Sequence, residues 1–191
     1  MSKNILIILG HPDGDSFCGA LANRYEQAAR TAGHIVKRFD LGSFKFDPIL
    51  HHGYKQIQEL EADLLTAQTA IIEAQHLVFI YPIWWGGIPA LLKGFFDRVF
   101  LPGFAFKYRE NSPLWDKLLK GRSAQCLVTL DSPVWYFRWI SRMPGHNQMK
   151  RTILEFCGIS PVKIYSFAPV KTSNDKQREK WLRIAEKAAR I

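Results

Sequence analysis

The 191-residue chain is long enough to bury a sizeable core, and 47% hydrophobic with 13% aromatic residues is a folded rather than a disordered composition. A net charge of +9 could draw nucleic acid, an anionic surface or a phosphate-rich cofactor. The basic residues are nevertheless spread over 107–122, 138–151 and 171–190, without an RNP-like signature, a recognition-helix pattern or zinc-finger spacing, which argues against nucleic acid.

In chain order, Met1 to Asn4 runs straight into the apolar residues 5–9, a run too short for a signal-peptide core. No segment approaches the roughly 18 uninterrupted apolar residues of a membrane span, so a cytoplasmic protein is expected. Residues 4–9 read as a buried strand. Phe17, Leu21, Tyr25, Ala28 and Ala29 recur at helical spacing and predict a helix over 16–32, stopped by Gly33. A second strand is predicted over 34–39, a long loop over 41–55, a second helix over 56–74 and a third strand over 76–81. Ile88, Leu91, Leu92, Phe95 and Val99 line one face of a third helix, with Pro89 tolerated in its first turn. Another loop over 101–116 precedes a fourth strand over 123–130. After an aromatic-rich entry, 142–157 is expected to be mostly helical. A fifth strand over 162–167 precedes a final helix marked by Trp181, Ile184, Ala185 and Ala188.

Five strands alternating with helices imply right-handed crossovers and a parallel sheet with helices on both faces, a three-layer α/β sandwich. The strands lack polar alternation, as that burial requires. Five strands favour the flavodoxin-like order 2-1-3-4-5 over the six-stranded dinucleotide-binding order. With no repeat, low-complexity tract or linker, residues 1–191 are expected to form one domain. Cys18, Cys126 and Cys157 have no CxxC spacing and suggest neither a disulfide framework nor a zinc knuckle; Cys157 reads as core. His51 and His52 are adjacent, which points their rings apart, so no metal site is expected.

Ligands in such a sheet bind beyond the carboxyl ends of strands 1 and 3, where the strand order reverses. Gly10-His11-Pro12-Asp13-Gly14-Asp15-Ser16-Phe17 leads from strand 1 into a helix. The spare N–H groups and dipole there favour a phosphate, with Ser16 and His11 as further donors. Equally, Ser16 reads as a plain helix cap. Asp13 and Asp15 are expected to face solvent. The loop is neither GxGxxG nor a Walker loop. Tyr81-Pro82-Ile83-Trp84-Trp85-Gly86-Gly87 leaves strand 3. Two adjacent tryptophans either frame a flat ring system or cover the core or a subunit interface.

His11-Pro12 with Ser16-Phe17, then Pro82-Ile83-Trp84-Trp85-Gly86-Gly87-Ile88-Pro89-Ala90-Leu91-Leu92-Lys93-Gly94-Phe95-Phe96-Asp97-Arg98-Val99-Phe100, resemble the NAD(P)H:quinone oxidoreductase (DT-diaphorase) family. Phe46-Asp47-Pro48 and Phe104-Ala105-Phe106 resemble it too, so the similarity spans nearly the whole chain. The resemblance implies a flavodoxin-like homodimer with flavin at the subunit interface. It also implies ping-pong hydride transfer from NADPH or NADH to a quinone or similar small aromatic acceptor. It puts flavin phosphate on His11, Ser16 and Phe17, and the isoalloxazine on Pro82, Ile83, Trp84, Trp85 and Gly86. FAD is the first choice, given the long loop after strand 2, with FMN the alternative. After strand 4 the family often has Thr-Thr-Gly-Gly; this chain has Thr129-Leu130-Asp131-Ser132-Pro133, so Thr129 is the residue carried over. Tyr136 and His146 are nearest to the Tyr and His that relay protons in mammalian members. Tyr136 also lies in an aromatic cluster that reads as a lid or dimer contact, and His146 also reads as a helix start. Rival readings are a flavodoxin-type electron carrier and an ancillary regulatory flavoprotein subunit of a potassium efflux system.

Overall fold

The computed structural model describes residues 2–191. A five-stranded parallel sheet is built from β1 (Asn4–Leu9), β2 (Ile35–Asp40), β3 (His76–Pro82) and two later strands. The short β4 (Phe106–Tyr108) and β5 (Trp115–Lys117) pair with each other as an antiparallel ribbon apart from it. The later sheet strands are β6 (Ser123–Thr129) and β7 (Val162–Phe167), and the order is β2-β1-β3-β6-β7. Without the ribbon this is the expected 2-1-3-4-5.

The period-two alternation of a strand sorts the core into two clusters. Ile5, Ile7 and Leu9 of β1 join Val78 and Ile80 of β3 on one face, beneath α1 (Phe17–Thr31) and α7 (Asp175–Ala188). Leu6 and Ile8 join Leu77, Phe79 and Tyr81 on the other, beneath α2 (Ala62–Glu73) and α3 (Ala90–Val99). The central strands are therefore apolar on both sides. The edge strands β2 and β7 carry half-exposed residues, because each lacks a neighbour on one side. Gln125, buried within β6, is satisfied by the Tyr25 hydroxyl at 3.0 Å and by donating to the Ala188 carbonyl at 3.1 Å.

Several predicted boundaries move. The second helix begins at Ala62 rather than 56, because residues 47–61 are held as loop by a buried cation, Arg98. This side chain is fully buried. It donates to the carbonyls of Asp47 and Glu59 and to both carboxylate oxygens of Glu61, at 3.2 and 2.9 Å. Glu61 also accepts from the Asp47 N–H at 3.0 Å. Burial opposes ionisation of Glu61, but these hydrogen bonds and the guanidinium hold its carboxyl below the usual range. The third helix starts at Ala90, with Pro89 as its cap residue.

The predicted loop over 101–116 contains most of the β4–β5 ribbon. The aromatic cluster forms a short helix, α4 (Val134–Trp139). The predicted helix over 142–157 is composite, with α5 (Pro144–Asn147), a π-helical stretch (Gln148–Leu154) and α6 (Glu155–Cys157). In the π stretch Met149 and Leu154, five residues apart, both reach the core, as i→i+5 winding allows. Among the described residues no helix is long and apolar enough to cross a membrane. All three cysteines are free and buried.

Candidate flavin site at the sheet switch point

β1 lies between β2 and β3, so the chain leaves β1 towards one edge and leaves β3 towards the other. The loops diverge there and open a cleft. A cavity of about 170 Å³ lies at this point. Of the predicted residues it brings together His11, Ser16, Phe17, Pro82, Ile83, Trp84 and Thr129. Cys18, Leu130, Asp131 and Val170 complete the lining.

The first wall is the entry to α1. Ser16 is its N-cap: the hydroxyl accepts from the Gly19 N–H at 3.3 Å and donates to the Asp13 carbonyl at 2.7 Å. The capping role is thus present whatever else Ser16 binds. The Phe17 and Cys18 N–H groups open the helix without an intrahelical partner. No acidic side chain stands in the first turn, and Asp13 and Asp15 are both exposed, as expected. The His11 Nδ1 accepts from the Asp13 N–H at 3.0 Å, so in the neutral ring the proton sits on Nε2 as a free donor. The His11 ring also meets Trp84 edge-on at 5.4 Å, which joins the two site loops. Below them the Cys18 thiol lies 3.2 Å from the Thr129 hydroxyl. Burial pushes that thiol up to about 11, against the Thr129 hydrogen bond, so it is a neutral floor.

The second wall is a tight turn. Trp84 and Gly87 exchange two backbone hydrogen bonds, each 3.0 Å, around Trp85 and Gly86. Both central residues have positive φ, +52° and +78°, the geometry of a type I′ turn. Glycine accepts this without strain; tryptophan does not. Trp85 is moreover fully exposed, at 106% of its reference area. Among the described residues the Trp85 and Gly86 N–H groups have no backbone partner. These two residues lie outside the first cavity and border a second, shallower depression with Gly87, Pro144, Gly145, Asn147, Gln148, Arg151 and Thr152. The Gly145 N–H donates to the Gly86 carbonyl at 2.9 Å and fixes that turn against α5.

The third wall is the loop after β6. Leu130 donates to the Phe167 carbonyl and accepts from the Val170 N–H, and the Asp131 carboxylate accepts from the Lys171 N–H at 2.8 Å. The glycines expected from the resemblance are replaced by a loop tied to the 167–171 segment.

The structure does not bring Tyr136 and His146 to the cavity. Tyr136 is 44% exposed on α4 beside Trp135. His146 is buried, with Nε2 2.8 Å from the Ser166 hydroxyl and its ring against Phe137. Burial holds its pKa down at about 4, so the ring is neutral near pH 7. Asp131 and Val170 escaped the sequence reading; the departure from Thr-Thr-Gly-Gly was the signal that the third wall differs. Among the described residues no group of three or more His, Cys, Asp or Glu could hold a metal ion.

A family model for the flavodoxin-like fold matches residues 3–190. A Haemophilus influenzae protein named an uncharacterized NAD(P)H oxidoreductase is 33% identical over 187 residues, covering 95% of this chain and 92% of that one. A solved Streptococcus mutans protein superposes with a TM-score of 0.84 at 31% identity, over 98% of both chains. The NAD(P)H:quinone oxidoreductase of Methanothermobacter marburgensis superposes at 0.81 with 25% identity, over 100% of this chain and 98% of that one.

Proposed function

The chain belongs to the NAD(P)H:quinone oxidoreductase family of the flavodoxin-like fold, and on that premise we propose that it is a flavin-dependent oxidoreductase that passes hydride from NADPH or NADH to a quinone or similar small aromatic acceptor by a ping-pong cycle. One observation carries the reading. The loops leaving β1 and β3 meet the end of β6 in one cavity, with an acid-free helix N-terminus on one side and Pro82, Ile83 and Trp84 on the other.

The residues present fit a flavin. The N–H groups of Phe17 and Cys18 and the His11 Nε2–H supply donors for its phosphate, and the Ser16 hydroxyl adds one by turning away from the Asp13 carbonyl. Pro82, Ile83 and Trp84 supply an apolar wall, and Thr129 a hydroxyl at its base. The free N–H groups of Trp85 and Gly86 suit the polar edge of the ring. FAD is the proposed occupant and FMN the alternative. Bound flavin supplies the hydride-accepting and hydride-donating chemistry.

The protein's part is to bind, orient and exclude water. Donors aimed at the polar ring edge favour the negative charge that reduction places there. Tyr136 stays the proposed proton donor, because its hydroxyl is open to ligand. His146 is proposed instead to position Phe137, and with it the α4 segment that carries Tyr136. The fully exposed Trp85 is proposed to meet a second copy of the chain in a homodimer with flavin at the interface. The unit is proposed to be a single cytoplasmic domain of three layers.

The test is an absorption spectrum of the purified protein with added FAD or FMN, followed by NADPH or NADH without oxygen and then a quinone. Yellow protein that bleaches and recolours is the expected result. Yellow protein that keeps its colour would move the chain to a carrier or an ancillary regulatory flavoprotein. Absence of flavin uptake would refute the site. Trp85→Ala should weaken flavin retention while leaving the melting temperature of flavin-free protein unchanged, since the side chain is fully exposed.

A further inference from the structure

Residues 132–154 contain no aspartate or glutamate but carry the cations Arg138, Arg142, Lys150 and Arg151. Within this stretch stands α4, whose outward side is unusually apolar. Phe137 is its one buried residue, anchored on the His146 ring at 5.1 Å. Around that anchor Trp135 is 63% exposed, Trp139 72% and Ile140 61%. Trp135 and Trp139 are four residues apart and form one outward ridge; Tyr136 and Ile140 form the next. The Arg138 guanidinium lies over the Trp139 ring at 5.4 Å. Arg142 follows in a left-handed turn and is exposed.

Exposed indoles flanked by arginine, in a stretch without aspartate or glutamate, match the water–lipid boundary. Tryptophan seats its amphipathic ring at headgroup level, and each arginine beside an anionic surface adds attraction. The charge of the whole chain has the same sign. We propose that the 134–142 segment docks the protein reversibly on an anionic lipid bilayer. Trp135, Trp139 and Ile140 enter the headgroup layer, and Arg138 and Arg142 lie on lipid phosphates. The segment is small, so the attachment is peripheral and salt-sensitive. It continues directly from Leu130 and Asp131, which line the cavity, so docking brings the candidate site to the surface where lipophilic acceptors dissolve. The docking itself does not depend on which acceptor is used.

The experiment is co-sedimentation of flavin-loaded protein with vesicles of phosphatidylcholine alone or mixed with phosphatidylglycerol, at low and at physiological salt. Wild-type protein should partition onto the phosphatidylglycerol vesicles alone, and less as salt rises. Trp135→Ser with Trp139→Ser, and separately Arg138→Gln with Arg142→Gln, should each lower that partition by about tenfold or more. Melting temperature should persist in both, since these side chains are exposed. Failure of the wild type to bind phosphatidylglycerol vesicles would overturn the proposal. Equal binding by both variants would do so too, because it would trace the effect to overall charge. A tryptophan variant that loses its dimer but keeps its vesicle binding would make the patch a contact between copies, and the proposal would again fall.

Discussion

Arg98→Met should uncouple the long loop after β2 from the rest of the fold. The guanidinium is fully buried and serves the Asp47 and Glu59 carbonyls and the Glu61 carboxylate. Methionine keeps much of the volume but none of the donors. Two carbonyls lose a charged partner, and Glu61 loses its counter-ion. Removing one member of a buried pair typically costs roughly 3–5 kcal/mol. The lower end is expected here, because the Glu61 side chain is already 34% exposed and can rehydrate. For a chain of this size roughly 3 kcal/mol corresponds to a fall of about 6–12 °C in melting temperature. Thermal and urea unfolding measure the loss, and amide hydrogen exchange localises it. The Asp47 N–H, bonded to Glu61, and the Leu64 and Leu65 N–H groups, bonded to the Glu61 carbonyl, should lose protection first. A loss below about 1 kcal/mol, or an exchange pattern unchanged over 45–65, would refute the view that this cation fastens the loop.

Trp85→Asn should raise the stability of flavin-free protein by roughly 1 kcal/mol, because asparagine tolerates the left-handed conformation that tryptophan is forced into; an unchanged melting temperature would mean the turn is unstrained. Ser16→Ala should remove the α1 cap for about 1 kcal/mol of stability, and weaken flavin binding by roughly 1 kcal/mol through a lost donor, read by denaturation and flavin titration. Gly94→Ala should cost roughly 1–3 kcal/mol, since a Cβ there would collide with the Pro48 Cβ and lie 2.7 Å from its carbonyl oxygen; neutral behaviour in denaturation would show that the 47–48 loop yields freely. Acid should destabilise the fold through His76 and His146, both held down at about 4, chiefly by burial. Their neutral forms are the folded forms, so this stability is complete above about pH 6.5 and is lost as pH falls towards 4. His146→Gln should flatten that acid limb relative to wild type; parallel limbs would contradict the assignment.

The sheet was legible because its signal is local: each strand is a short apolar run and each crossover helix carries its own period. The two site loops were legible for a related reason, since His11, Ser16, Trp84 and Trp85 are unusual residues just beyond strand ends. What escaped depends on distance in sequence. Nothing near residue 56 says that Glu59 and Glu61 will be captured by Arg98, so helical spacing alone extends the second helix too far towards its N-terminus. The ribbon was missed because Phe106–Tyr108 and Trp115–Lys117 are three-residue strands whose stability comes from pairing, and Phe106 alone of the six is buried. Tyr136 and His146 are candidates by resemblance alone. Burial against Ser166 and Phe137 separates their environments, and no spacing rule could reveal that.

The chain's most distinctive run, residues 82–100, performs two tasks with one continuous piece. Its first part lines the cavity through Pro82, Ile83 and Trp84 and runs into the strained Trp85–Gly86 turn beside it. The turn passes through Ile88 and Pro89 into α3, whose residues then hold a different loop. Gly94 sits against Pro48, and one helical turn later Arg98 grips Asp47, Glu59 and Glu61. Lys93 and Asp97 pair along the same helix at 2.6 Å, on its more exposed side. The strain in the turn needs a rigid support to persist. A ten-residue helix, packed through Leu92, Phe95 and Phe96 on the sheet and clamped by a buried cation, provides it. Arg98 is then a remote determinant of the Trp85 turn. Arg98→Met should therefore also weaken flavin retention, although Arg98 does not line the cavity. If the variant bound flavin as tightly as wild type after losing the 47–61 loop, the turn would be self-supporting and α3 a bystander.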